Sequence, residues 1–87
     1  MTSIKLATAH VEMAREMAAA VGRSVMVDAL FLRFDAEDAV ELLEVAGHAV
    51  SYWSKMRKPG KARVANAIRE KLAEIVAAER YARSFRG

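Results

Sequence analysis

Imidazole chemistry in this chain would have to run through His10 or His48, its only two histidines, and there is no cysteine to join them. The two fall on different predicted helices. No His-Glu-x-x-His or comparable ligand spacing occurs, so a metal centre would need carboxylates delivered by folding alone. Acidic pairs such as Glu37 and Asp38 are adjacent, face different ways on a helix, and suit dipole compensation better than acid/base work. A glycine-rich phosphate loop and a nucleophile elbow are both absent. The expectation is no enzyme, no catalytic residue, no metal and no cofactor. The side chains left with chemistry to do are basic. Lys55, Arg57, Lys58, Lys61, Arg63 and Arg69 are candidate phosphate or anion contacts, and Tyr52 and Trp53 stand beside them as rings on which bases could stack.

Those bases belong to a lopsided charge distribution. Residues 1–50 carry four Lys or Arg against eight Asp or Glu, a balance of −4, whereas residues 51–87 carry ten against three, a balance of +7. The modest total of +3 hides this split. Such asymmetry suggests that the basic part meets a polyanion, or that acidic and basic parts meet across an oligomer. A solvated basic face that binds nothing is the plain alternative.

A chain of 87 residues makes one domain at most, and 54% of it is apolar, much of that alanine. One Trp, three Phe, two Tyr and five Met supply little bulk for a monomer's core, so a homodimer or higher oligomer is expected. Without cysteine, disulfides say nothing about compartment. No apolar run reaches the length of a membrane span, and no secretory layout opens the chain, so no membrane partner is expected and the cytoplasm is the default location.

The elements are expected to be mostly helical. Thr2-Ser3-Ile4-Lys5-Leu6 alternates polar and apolar like a short strand. Val11, Ala14, Met17, Ala18 and Val21 define one face of a helix from about Thr8 to Val21, with Thr8 capping its start and Gly22 at its end. Val25 to Phe34 is ambiguous: its β-branched start suits a strand, its Ala-Leu-Phe-Leu centre a buried helix. Asp35 and Asp38 have the spacing of a capping box for a helix that continues through Leu43, Ala46, Val50 and Trp53. Trp53 shares that apolar face and is expected to be substantially buried. Pro59-Gly60 ends this helix, and a last one from about Ala62 to Ser84 sets Val64, Ile68, Leu72, Ile75, Val76 and Ala82 near one stripe.

Read together, residues 2–34 resemble a ribbon-helix-helix unit: a short strand (Ser3-Ile4-Lys5-Leu6), a helix (Thr8 to Val21), a turn (Gly22-Arg23-Ser24) and a second apolar segment. The stretch from Val11 to Ser24, VEMAREMAAAVGRS, is similar to the first helix and Arg-Ser turn of ParD-like antitoxins. Val50-Ser51-Tyr52-Trp53-Ser54-Lys55-Met56 resembles the aromatic second helix of the same group, displaced by about two dozen residues. Taking both together requires an insertion at residues 25–48. The resemblance implies a dimer whose N-terminal strands pair into an antiparallel ribbon that a DNA major groove admits. Ser3 and Lys5 would then point at bases. Arg23 and Ser24 would meet a phosphate at the start of a second helix near Val25.

Two functions follow as expectations. In the first, the protein is mainly α: a strand, then three to four helices, in a ribbon-helix-helix-like dimer that binds DNA and regulates transcription. Residues 1–34 dimerise and dock, with Ser3, Lys5, Arg23 and Ser24 as DNA contacts. Residues 35–87 form a helical extension for a partner protein, in antitoxins a toxin. In the second, the chain is an all-α bundle serving as a protein-interaction module, such as a phage or plasmid accessory factor, whose basic C-terminal helix is the working surface.

Overall fold

A computed structural model describes residues 2–86, with the side chains of residues 85 and 86 left aside. The element order is β1 (Thr2–Lys5), a 3-10 turn (Thr8–His10), α1 (Val11–Val21), β2 (Val25–Asp28), β3 (Phe31–Phe34), a 3-10 turn (Ala36–Asp38), α2 (Ala39–Lys55) and α3 (Pro59–Arg86). Helix dominates, as expected, but the chain is not all-α.

The ambiguous segment from Val25 to Phe34 is a β-hairpin. Its alternation decides the matter: Val25, Leu32 and Phe34 are buried, while Met26, Asp28 and Arg33 alternate with inward positions along the two strands. A helix would have scattered these side chains around its circumference. The second helix that the ribbon-helix-helix resemblance implies near Ser24 and Val25 is therefore not formed there. β1 pairs antiparallel with β3, Ile4 opposite Leu32, and β2 pairs with β3 on the other side, giving the sheet order β1-β3-β2. The N-terminal strand is thus held within its own chain, with β3 inserted between β1 and β2. One edge of β1 remains open.

Three boundary expectations are corrected. Thr8 does not cap the first helix; Ala7 occupies the position before the 3-10 turn, and no side-chain cap bond forms. Asp35 and Asp38 make no capping box, because a 3-10 turn intervenes between them and Asp38 turns its carboxylate toward Ser24. Pro59 opens α3 instead of merely ending α2, since its fixed φ suits a first helical turn where its missing N–H costs nothing.

The inward face of the sheet, α1 and the α2–α3 hairpin share one core. Phe34, Met17, Leu32, Leu42, Ile68 and Leu72 are its largest fully buried side chains. Ala14, Ala39, Ala46 and Ala65 are buried among them, so small residues let the helices approach closely. Residues 2–34 and 35–86 contribute to the same cluster. Trp53 is only partly buried against it, short of the burial expected from its helical face. Ala82 also departs from expectation. α3 spans 28 residues against 17 for α2, and Ala82, in its later turns, is exposed.

Candidate functional site

The candidate contacts divide between two places. Ser3 and Lys5 project from the outward face of the sheet, as the inward placement of Ile4 and Leu6 requires, and both are exposed. The rows across that face are Ser3–Arg33–Met26 and Lys5–Phe31–Asp28. Arg33 lies over the Phe31 ring at 5.5 Å and forms a 3.3 Å ion pair with Asp28. This adds a cation to the face that sequence reasoning missed, because the pairing of β3 with β1 was not legible. Arg23 sits exposed in the turn beyond the opposite end of the sheet from Lys5. Ser24 is occupied: its Oγ donates to Asp38 Oδ2 at 2.6 Å. No helix begins at Ser24 or Val25, so the phosphate-binding helix start expected there is absent.

The second place is the tip of the α2–α3 hairpin. From Val45 to Arg69 the chain contains no Asp or Glu, yet it carries Lys55, Arg57, Lys58, Lys61, Arg63 and Arg69. The tight turn at residues 56–58 brings five of these to one end of the molecule. Arg69 stands further along α3 and is engaged with Asn66, donating from Nε and Nη2 to Oδ1 at 3.1 and 2.8 Å. Lys61 lies over the Trp53 ring at 4.2 Å and borders a depression shared with Glu12 and Glu16 of α1, so part of its field is balanced. Tyr52 meets Trp53 edge-on with centroids 4.9 Å apart and is 54% exposed. Of the two rings, Tyr52 is the more exposed to solvent. Lys55, Arg57, Lys58 and Arg63 face no carboxylate partner among the described residues.

The turn itself is a Schellman motif. Lys58 N–H donates to the Trp53 carbonyl at 2.9 Å and Arg57 N–H to the Ser54 carbonyl at 3.2 Å, which places Arg57 at the position that glycine usually fills. Arg57 accordingly has φ 57°, in the left-handed region that disfavours a residue with a Cβ. Gly60, two residues after the cap bonds are complete, serves the first turn of α3 instead.

His10 precedes α1, partly buried, its Nδ1 enclosed without a hydrogen-bond partner, whereas His48 is exposed on α2. No group of three or more His, Asp or Glu converges as a metal site among the described residues, and no helix there is long and apolar enough to cross a membrane. No protein-family model, curated protein or solved structure matches the chain.

Proposed function

We propose that this protein binds DNA as a small regulator and that its principal grip on the phosphate backbone is the basic tip of the α2–α3 hairpin. The observation that carries this reading is the segregation of charge: a stretch free of carboxylates, folded back on itself, concentrates Lys55, Arg57, Lys58, Lys61 and Arg63 at one end. Concentrated cations displace condensed counterions from a duplex, and this supplies most of non-specific affinity. Ser3, Lys5 and Arg33 on the outer sheet face are the groups available for contacts to base edges, because strands can present side chains into a DNA groove. In the finer form of the proposal two copies associate as a dimeric, antitoxin-like regulator whose pairing differs from the ribbon-helix-helix arrangement, because β1 is already paired with β3 of its own chain. The open edge of β1 then provides the contact between copies, and the far end of α3 remains for a protein partner.

Anisotropy with a labelled duplex across a salt series tests the proposal. Binding must weaken with salt at a log–log slope of about −0.9 per phosphate contacted. Lys58→Ala with Lys61→Ala should weaken all sequences alike, while Lys5→Ala should relax sequence preference. A duplex panel without binding at low salt would leave the second reading, a protein-interaction module. That reading has its own support in the uncovered end of α3 and in Val40, exposed at 45% on the adjoining surface of α2.

A further inference from the structure

We infer that the depression lined by Ser54, Arg57, Pro59, Ala62, Arg63 and Asn66 is the seat of one backbone phosphate, and that the strained conformation of Arg57 is kept because it presents a guanidinium there. The inference rests on the proposed DNA binding and assigns its central contact.

Three features converge on a phosphate. The depression lies in the crook between the last turn of α2 and the first turns of α3, and no carboxylate lines it. Two guanidiniums border it, and paired planar forks match the tetrahedral oxygens of a phosphate better than ammonium groups do. The Ser54 hydroxyl adds a donor, while the Asn66 side chain is engaged along α3, its carbonyl oxygen held by Arg69 and its Nδ2 donating to Glu70 Oε1 at 3.3 Å.

The backbone of Arg57 is the independent observation. A Schellman turn at this position is satisfied most easily by glycine, and the hydrogen bonds of the motif need no side chain at all. An arginine in the left-handed region therefore contributes nothing to closing the turn that glycine would not do better. Strained residues tend to persist where their side chains serve a site. Here that site is the adjoining depression.

Arg57→Gly separates the two roles, because it removes the guanidinium while relaxing the backbone. With a labelled duplex, Arg57→Gly and Arg63→Ala should each reduce the magnitude of the salt slope, and the double variant, which removes the same single phosphate contact, should reduce it by about 0.9 in total. Arg57→Lys, which keeps a cation, should retain most of the slope but lose affinity. Arg83→Ala, on the far end of α3, should leave the slope unchanged. Thermal unfolding of Arg57→Gly should shift upward, which shows that its binding defect is not misfolding. Slopes unaltered in Arg57→Gly and Arg63→Ala, with Lys58→Ala and Lys61→Ala still weakening the complex, would overturn the phosphate seat and leave DNA binding standing. A wild-type protein that binds no duplex at low salt would overturn both. So would binding confined to vesicles of anionic phospholipid, which would make the tip a membrane contact.

Discussion

Ser24 Oγ and Asp38 Oδ2 lie 2.6 Å apart, across 14 positions of sequence, and their hydrogen bond ties the turn closing α1 to the turn opening α2. Between them runs the whole β2–β3 hairpin, so this one bond closes the loop that contains it. Ser24 is half-buried and donates to a charged acceptor, the stronger class of hydrogen bond.

Ser24→Ala should therefore cost about 1–2 kcal/mol of folding stability, with the partial exposure of the pair placing it at the lower end of the range for bonds to charged groups. Urea denaturation measures this directly. The same variant should leave duplex affinity unchanged. A variant of normal stability with weakened DNA binding would return Ser24 to the role of a phosphate contact.

Trp53→Ala should cost about 2 kcal/mol. Full burial would put the loss at about 3–5 kcal/mol, but only part of the ring packs against the core and its face is covered by Lys61 at 4.2 Å. Lys61→Ala should also red-shift or otherwise alter Trp53 emission by admitting water to the ring. A loss above about 4 kcal/mol in chemical denaturation would mean that Trp53 anchors the hairpin more deeply than its exposure indicates.

What the sequence revealed and what it withheld follow from the range of each interaction. α1 and α2 were legible because their apolar spacing is local: Ala14 and Ala18 lie one turn apart, Ala39 and Ala46 two turns apart, and each pair is buried together. The hairpin was not, because Val25 to Phe34 reads equally as strand or helix until Leu32 finds Ile4, a pairing that depends on residues far apart in the chain. Asp38 misled for a related reason. Its spacing from Asp35 fits a cap, yet a partner in another turn claims its carboxylate. The basic tip was legible as composition, since Lys55 to Arg63 stand close in sequence. Its concave seat was not, because Ser54 and Asn66 meet only when Arg57 reverses the chain.

Among the described residues, two other than glycine hold left-handed backbone, Ala29 at φ 53° in the β2–β3 turn and Arg57 at φ 57°. The conformation costs an L-residue about 1–2 kcal/mol, while glycine returns roughly 0.4–1 kcal/mol of that through its freer unfolded chain. Ala29→Gly and Arg57→Gly should each stabilise the fold by up to about 1 kcal/mol, seen as higher thermal midpoints. Only Arg57→Gly should affect nucleic-acid binding. Equal binding losses in both would point to a general effect of loosened turns instead of a lost guanidinium.

Lys71 guards the open edge of β1. Leu6 N–H donates to the Leu30 carbonyl at 2.6 Å, and the register continues with Ile4 opposite Leu32 and Thr2 opposite Phe34. Antiparallel pairing therefore spends the backbone groups of Thr2, Ile4 and Leu6 on β3 and directs those of Ser3 and Lys5 to the open side. There Lys71 Nζ donates to the Lys5 carbonyl at 2.8 Å, so α3 places an ammonium across the strand that another chain would have to pair with. Lysine at a sheet edge commonly discourages such pairing. Lys71→Met keeps much of the aliphatic stem and removes the donor and the charge. Because the bond it loses is exposed, its folding stability should stay within about 0.5 kcal/mol of wild type. Its sedimentation should shift toward dimer at lower concentration than wild type, with Ser3 and Lys5 amide exchange slowing as the dimer forms. If Lys71→Met sediments as wild type does at every concentration, β1 is not the route by which copies associate, and the dimer proposed above must form through the uncovered end of α3.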